Sequence, residues 1–243
     1  MKAVWITGAS RGIGRACALR FAETGNRIAL HYHSDEAAAQ KTAEECRARG
    51  AEVALFRGDV SDRASVFAIA DQIRAQFGPI DILVNNAGIA QQKLFTDITE
   101  ADWRRMIGTN LDGVFFCCQA ALPDMIHRKA GRIINISSMW GQVGASCEVH
   151  YSAAKAAVNG LTQALAKEVG PSGITVNAIA PGVIDTDMNA MLDADTRAAL
   201  CDETPIERIG TPDEIARVVA FLAGPGGDFI TGQIIGVNGG FII

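Results

Sequence analysis

Short apolar runs alternate with longer stretches of helical periodicity along most of the 243-residue chain. The apolar runs are rich in Val, Ile and Ala and end near Gly, Pro, Asn or Asp, a pattern typical of buried strands. It predicts seven strands, at residues 3–7, 27–33, 52–58, 81–86, 132–138, 173–181 and 234–238. The stretches between them predict six helices, at residues 12–23, 35–49, 62–77, 102–127, 151–169 and 212–222.

Strict alternation of strands and helices favours a parallel sheet that is covered by helices on both faces. We therefore predict one α/β domain over residues 1–243, with a seven-stranded parallel sheet as the middle of three layers. The segment 185–209 contains helix-forming residues but does not follow the alternation. Insertions of this kind often cover a site, so the segment is predicted to be a substrate lid.

Composition excludes several classes of function. The net charge of −5 argues against nucleic-acid binding, which needs a basic face. No apolar run is long enough to span a bilayer, and "MKAVWITGAS" at 1–10 does not match a signal peptide. The six cysteines form no CxxC pair, which suits a reducing cytoplasm, and the four histidines form no HExxH pattern, so we expect no catalytic metal.

A glycine-rich turn follows the first predicted strand. In "TGASRGIG", residues 7–14, Gly8, Gly12 and Gly14 stand between a strand and a helix. Glycines there allow a sharp turn and let a pyrophosphate approach the free N–H groups at the helix N-terminus. The context predicts a Rossmann-type dinucleotide site, with Ser10, Arg11 and Ile13 as further loop residues of that site.

The end of the second strand bears on which dinucleotide is bound. NAD sites usually place an acid there to hold the ribose 2′-hydroxyl, whereas NADP sites present cations to the 2′-phosphate. The chain reads "HYHSD" at 31–35, with Tyr32 at the position of the acid. Arg11, His33 and Ser34 are placed to meet a phosphate, so we predict NADP(H).

Three side chains predict the chemistry. Ser138 ends the fifth strand, and Tyr151 and Lys155 lie four residues apart on one face of the next helix. An ammonium near a phenol is expected to lower the tyrosine pKa from about 10, so that the phenol exchanges protons with a substrate oxygen. Ser138 would hold the same oxygen, and the set predicts reduction of a carbonyl group.

These motifs resemble the short-chain dehydrogenases/reductases over essentially the whole chain. The similarity rests on "TGASRGIG" (7–14), "GDV" (58–60), "NNAG" (85–88), "GTNLDG" (108–113), Ser138, "YSAAK" (151–155) and "PGVIDT" (181–186). It implies that Tyr151 is the general acid, that Ser138 orients the carbonyl, that Lys155 binds the nicotinamide ribose, and that Asn110 holds a water in a proton relay. It also implies cofactor contacts by Asp59, Val60, Asn86, Ala87, Gly88, Pro181, Gly182, Ile184 and Thr186.

Within that family the chain is most similar to 3-oxoacyl-acyl-carrier-protein reductases, which act in fatty acid biosynthesis. That group docks its acidic carrier on basic residues; Arg128 and Lys129 occupy one such position, whereas Ser172 occupies the second. The stretch "SMWGQVGASCEVHYSAAK" (138–155) is also similar to reductases of a 5-aminopentanone group on a lysine of elongation factor P. Trp140 and Glu148 are the candidate substrate contacts of this stretch.

Three functions therefore stay open: reduction of a 3-oxoacyl thioester on acyl carrier protein or CoA, reduction of an aminoketone on elongation factor P, and a non-catalytic nucleotide-sensing regulator. Glu148 separates the first two, because a carboxylate near the carbonyl suits an ammonium-bearing substrate and disfavours an acidic carrier. The apolar residues of 102–127 and 151–169 predict pairing of subunits, and the resemblance implies a homotetramer.

Overall fold

The computed structural model describes residues 1–190 and 192–243. Its described strands form one parallel sheet of seven, in the order β3-β2-β1-β4-β5-β6-β7. The bounds are β1 Ala3–Ile6, β2 Arg27–Tyr32, β3 Glu52–Arg57, β4 Ile82–Asn85, β5 Gly131–Ile136, β6 Ile174–Pro181 and β7 Ile234–Val237. The predicted seven-stranded α/β fold is confirmed, and most of the observed strands are shorter than predicted because their last residues belong to the following loops.

The strand order reverses direction between β1 and β4, which pair directly. Chain connections on either side of this point run to opposite faces of the sheet, so a crevice opens beyond the carboxyl ends of the strands. The glycine loop follows β1, the loop with Asn86 follows β4, and Ser138 follows β5. The topology therefore brings the predicted site residues to one edge of the sheet.

Helices cover both faces of the sheet. Their bounds are α1 Gly12–Ala22, α2 Glu36–Ala48, α3 Arg63–Phe77, α4 Glu100–Ile107, α5 Gly113–Arg128, α6 Trp140–Val143, α7 Val149–Val169, α8 Ala194–Asp202 and α9 Pro212–Ala223. Within the described part of the chain, no helix has the length and apolar character needed to cross a membrane.

Two apolar clusters lie on opposite faces of the sheet, and buried residues of β1 contribute to both. Val4 and Ile6 pack with residues of α1, α2 and α9, whereas Ala3 and Trp5 pack with residues of α3, α5 and α7. Successive side chains of a strand point to opposite faces, so both faces of the central strand are buried. This explains why the strands read as continuous apolar runs.

The predicted helix 102–127 is two α-helices joined by a π-helical turn at Gly108–Asp112. Helix α4 begins earlier than predicted because Thr99 and Asp102 form a capping box, in which each side chain binds the other residue's backbone N–H. The π-helical turn adds a residue to the helical ladder and turns Asn110, which is fully buried, towards the carboxyl edge of the sheet. Periodicity alone did not predict this turn.

The predicted lid contains a 3-10 turn at Asp187–Asn189 and helix α8, and Met191 lies outside the described residues. Asp185 pairs with Arg197 of α8 at 2.9 Å, and Asp187 lies 3.5 Å from Arg11 of the glycine loop. The segment therefore contacts the loop that was predicted to bind the cofactor.

A buried histidine connects three parts of this edge. His31, the penultimate residue of β2, is 1% exposed. Its Nδ1 accepts a hydrogen bond from the Gly8 N–H, so Nε2 carries the proton and donates to the Gly58 carbonyl, each at 3.2 Å. Burial lowers the pKa of His31 to about 4, although the Gly58 bond and the Asp59 charge oppose this and His33 adds to it. His31 is therefore neutral in the folded chain.

This neutral state predicts a pH-dependent stability. In the unfolded chain His31 takes up its proton near pH 6.5, and in the folded chain only near pH 4. Its contribution is complete above the unfolded pKa and is lost as the pH falls between the two values. Between pH 7 and pH 5 the loss amounts to about 2 kcal/mol. Chemical denaturation at both pH values should show a smaller loss for His31→Asn than for the unmodified chain.

His33→Asn is the matched control, because His33 lies two residues away and its side chain is 68% exposed. It should keep most of the pH dependence of the unmodified chain, because burial is the largest cause of the His31 shift and the His33 charge is a smaller one. Equal slopes for His31→Asn and the unmodified chain would show that His31 is not a buried neutral group.

Candidate functional site

The glycine loop is packed too closely for other residues. A Cβ on Gly14 would lie 2.3 Å from the Gly8 carbonyl oxygen and 2.5 Å from the Asn86 amide nitrogen. Gly8 has a φ of 62° and approaches the backbone of Ala87, where a Cβ would lie 2.9 Å from the Ala87 Cα. The N-cap of α1, Arg11, makes no side-chain capping bond, so the first N–H groups of the helix are open to an anion. The loop therefore fits a dinucleotide pyrophosphate.

Thr7 and Asn86 hold this loop against the loop after β4. The Thr7 hydroxyl accepts hydrogen bonds from the N–H groups of Asn86 and Ala87, at 2.9 and 3.0 Å. The Asn86 amide donates to the carbonyls of Thr7 and Gly8, both at 2.9 Å. The side-chain nitrogen of Asn86 thus supports the glycine loop, and Thr7 is a site residue that the sequence analysis did not select. Its place directly before Gly8 was the available signal.

The candidate phosphate-binding groups lie in the glycine loop and just after β2. Arg11 is largely exposed, as is His33, whose Nε2 lies 3.9 Å from a carboxylate oxygen of Asp59. Partial burial opposes ionisation of Asp59, but hydrogen bonds from the Ser61 hydroxyl and N–H outweigh it and lower its pKa. Tyr32, at the position of the expected acid, is buried.

The remaining predicted cofactor residues lie around the same crevice. Val60 packs beneath Gly113, and Thr186 lies beside Gly12. Gly182 packs against Asn238 just after Pro181 ends β6, and Ile184 pairs with Gly210. Ser10 lies in the glycine loop and Ile13 in the first turn of α1, whereas Ser34 lies in the bend that follows β2.

Ser138, Tyr151 and Lys155 are brought together between the end of β5 and the start of α7. They are 7%, 9% and 4% exposed, respectively. The Lys155 ammonium donates to the Ile136 carbonyl at 2.8 Å and lies 5.7 Å from the centre of the Tyr151 ring. Hydrogen bonds to the carbonyls of Ile179 and Pro181 fix the backbone around Ser138. A carbonyl group at this point would meet two hydroxyl groups.

The expected lowering of the tyrosine pKa is wrong for this structure. Burial raises the pKa of Tyr151 to about 12; the hydrogen bond with Ser138 opposes this, and the Glu148 charge adds to it. Burial also lowers the pKa of Lys155 to about 8. The four-residue spacing predicted that Tyr151 and Lys155 would be neighbours, but it did not predict that both would be buried. Burial disfavours the charged form of each side chain.

Asn110 is bonded to the segment after the "NNAG" motif. Its side-chain oxygen accepts from the Ile89 N–H, and its amide donates to the Ile89 carbonyl, both at 2.8 Å. A Cβ on Gly88 would lie 3.2 Å from that oxygen and 3.6 Å from the Lys155 ammonium. Asn110 therefore lies behind Gly88, on the same side of the site as Lys155.

The candidate substrate contacts lie on either side of Tyr151. Trp140 packs in the apolar cluster of Tyr151 and meets Phe241 edge-on at 5.7 Å, so the C-terminal segment contributes to this wall. Glu148 is the N-cap residue of α7 and makes no side-chain capping bond. Burial raises its pKa, which the Gln92 amide at 3.4 Å only partly opposes. Phe241 and Gln92 were not selected from sequence, because nothing in their spacing relates them to the motif residues.

Residues 8–242 match a family model described as enoyl-(acyl carrier protein) reductase. The chain is 43% identical to 3-oxoacyl-acyl-carrier-protein reductase FabG of Staphylococcus aureus, over 98% of this chain and 97% of that protein. It is 42% identical to nodulation protein G of Azospirillum brasilense, with 98% and 97% covered. A 3-oxoacyl-acyl-carrier-protein reductase of a Synechocystis species is 41% identical, with 98% and 96% covered.

These relatives match over nearly the whole length of each chain. The matched region includes the seven strands, the glycine loop and the Ser138–Tyr151–Lys155 cluster. The chain belongs to the short-chain dehydrogenase/reductase family, and it is an oxidoreductase that acts on CH–OH and C=O groups with a nicotinamide dinucleotide.

Proposed function

We propose that this enzyme uses NADPH to reduce the ketone of a 3-oxoacyl thioester to a secondary alcohol. The observation that carries the proposal is the pair of buried hydroxyl groups, Ser138 and Tyr151, at the carboxyl edge of the sheet beside Lys155. The full-length similarity to two 3-oxoacyl-acyl-carrier-protein reductases supports this substrate over other ketones. The same similarity supports an enzyme rather than a non-catalytic nucleotide-sensing regulator.

Reduction of a ketone adds a hydride to the carbon and a proton to the oxygen. A reduced nicotinamide supplies the hydride when it is bound. In the proposal the Tyr151 phenol supplies the proton, and Ser138 donates a hydrogen bond to the same oxygen. With its pKa raised to about 12, the Tyr151 phenol is protonated at neutral pH, as a proton donor must be.

Lys155 and Asn110 serve the proton supply in this proposal. The Lys155 ammonium, fixed by the Ile136 carbonyl, would stabilise the phenolate that remains after proton transfer and would bind the nicotinamide ribose. Asn110 would hold the water that returns a proton to this pair. The segment 185–209 would close over the substrate as a lid, since Thr186 and Asp187 already lie against the glycine loop.

The preference for NADPH rests on the residues of the glycine loop and of the segment after β2. Arg11 in that loop and His33 just after β2 are exposed, and Tyr32 stands where an acid would hold a ribose 2′-hydroxyl. The Arg11 guanidinium would exchange its partner Asp187 for the 2′-phosphate. Exposed apolar side chains on α4 and α5, including Trp103, Phe115 and Ile126, support the expected pairing of subunits, and the homotetramer stays a prediction.

The proposed proton donor can be tested by Tyr151→Phe, which keeps the ring and removes the hydroxyl. We expect kcat for an acetoacetyl thioester to fall roughly 100-fold or more, because general acid catalysis contributes about 10²–10⁴-fold. NADPH affinity should change little. The control is Tyr32→Phe, which alters the second of the two tyrosines and should keep most of the activity. Near-normal turnover by Tyr151→Phe would exclude this role.

The proposed phosphate contact can be tested by Arg11→Ala. We expect Kd for NADPH to rise about tenfold while Kd for NADH stays within about twofold, because only NADPH carries the 2′-phosphate and charge-assisted hydrogen bonds contribute about 1.5–3 kcal/mol. Arg15→Ala is the matched control, since Arg15 follows by one turn and pairs with Glu45. Equal losses for both dinucleotides would show that Arg11 does not bind the phosphate.

A second candidate function is reduction of an aminoketone attached to a protein lysine. Glu148 favours this second function. Among the described residues, the Gln92 amide lowers the pKa of this half-buried carboxylate, and no cation contributes to that shift. A substrate ammonium would supply the missing charge. In addition, the Arg128 guanidinium is bonded to Asp81 and to the Ile80 carbonyl, which leaves it less free to dock an acidic carrier.

Glu148→Gln distinguishes the two candidates. If the substrate carries an ammonium, the variant should raise KM for an amino-bearing ketone several-fold and leave KM for a neutral ketone of the same length unchanged, since a partly shielded pair contributes more than the ~0–1 kcal/mol of an exposed one. Assays of both ketones with both enzymes measure this difference. Equal KM changes for the two ketones would remove the support for the aminoketone.

A further inference from the structure

Three consecutive residues after β4 are bonded to the turn that precedes α7. The Gln91 side-chain oxygen lies 2.9 Å from His150 Nε2, and the Gln92 amide lies 3.4 Å from Glu148. The Lys93 N–H donates to the Cys147 carbonyl at 2.7 Å. We name this set of contacts, between residues 91–93 and 147–150, the seam.

The seam lies where helix α7 lacks a cap. The N-cap residue Glu148 makes no side-chain hydrogen bond to the first turn, and the helix begins at Val149. Tyr151, the proposed proton donor, is in this first turn. Uncapped first turns fray, because their N–H groups have no partner in the helix. Lateral contacts must therefore hold Tyr151 in place.

Gln91 and His150 have a defined hydrogen-bond direction. The Gln91 amide nitrogen donates to Asp102 at 3.0 Å, which turns its oxygen towards His150. Asp102 also binds the Lys93 ammonium at 2.7 Å and caps α4. Hydrogen bonds from Lys93 and then Thr99 and Gln91 hold the pKa of Asp102 far below its usual range, so it stays a charged acceptor. His150 Nε2 must consequently be the donor.

His150 depends on this contact. Its side chain is fully buried, and among the described residues its Nδ1 has no hydrogen-bond partner. Burial lowers the pKa of His150; the Asp102 charge opposes this, and the Lys93 charge adds to it. The imidazole therefore has a single strong contact, through which Asp102 and Gln91 fix the first turn of α7.

We infer that Gln91 and His150 form a positioning pair, which holds the first turn of α7 so that the Tyr151 hydroxyl meets Ser138. The inference rests on the proposed role of Tyr151 as proton donor. Neither side chain touches the reacting atoms; both act through the helix. A bond from the Ala145 N–H to the Ser152 hydroxyl, at 3.1 Å, completes the support of the turn on its other side.

The test compares His150→Leu, which removes the donor, with His150→Gln, whose amide can donate from a similar place. We expect kcat for ketone reduction to fall about tenfold or more in His150→Leu, because small misplacements of catalytic groups cost up to about 10²-fold. KM and the Kd for NADPH should stay within about twofold, and His150→Gln should recover most of kcat. Amide hydrogen exchange at residues 148–152 should be faster in His150→Leu.

Asn26→Ala controls for a general loss of stability. Asn26 is buried between α1 and β2, away from the seam, and its side chain makes three hydrogen bonds. This variant should lower Tm and leave kcat unchanged. If His150→Leu does not fold, Gln91→Ala breaks the same bond from the other side.

The inference would be overturned if kcat were unchanged in His150→Leu or Gln91→Ala. It would also be overturned if Asn26→Ala, at the same Tm, lowered kcat as much as His150→Leu does. An unmodified enzyme that reduces no ketone would instead contradict the proposed function. In that case hydrogen exchange at residues 148–152 still decides whether the pair holds the turn, since that measurement needs no turnover.

Discussion

Burial of the Lys155 ammonium is the constraint around which the site is built. A buried cation is costly unless it is hydrogen-bonded, and here the Ile136 carbonyl at the end of β5 is its partner. Two glycines pack against Lys155: a Cβ on Gly141 would lie 2.8 Å from the Lys155 carbonyl carbon, and one on Gly88 would lie 3.6 Å from the ammonium. The Ser137 hydroxyl donates to the Lys155 carbonyl. The loop that carries Ser138 thus packs on the backbone of Lys155, and Gly88 packs near its ammonium.

Local sequence predicted the layers of the fold and the residues of the site, but not the burial of the site. Alternation within β1, with Val4 and Ile6 on one face and Ala3 and Trp5 on the other, follows from local sequence, and it determines the three layers. Spacing of Ser138, Tyr151 and Lys155 likewise predicted their meeting. The pKa of Tyr151 could not be predicted, because its direction depends on how much water the assembled loops exclude. The π-helical turn that turns Asn110 inward also needs the tertiary contact with Ile89.

Chemistry and substrate choice are determined by different parts of the chain. Ser138 directly follows β5, and Tyr151 and Lys155 lie on α7, elements whose position follows from the sheet. Glu148, Gln92 and Phe241 lie in connecting segments or near the C-terminus, whose paths depend on long-range contacts. Identity of 43% to a 3-oxoacyl-acyl-carrier-protein reductase over 98% of the chain therefore supports the reaction more strongly than the substrate. A neutral acyl chain would give the half-buried carboxylate of Glu148 no charged partner.

The two halves of the site use one physical device. His31 joins the glycine loop to Gly58 at the cofactor end, and His150 joins the loop after β4 to α7 at the chemical end. Burial lowers the pKa of both, which favours the neutral imidazole with one donor and one acceptor nitrogen. A lysine or arginine there would bring a charge into the interior, and an aliphatic residue would leave the loop groups unpaired. At His31 the neutral imidazole joins two chain segments with both ring nitrogens bonded, whereas at His150 only Nε2 is bonded, because Nδ1 has no partner among the described residues. The chemical end of the site therefore depends on the single bond between His150 and Gln91.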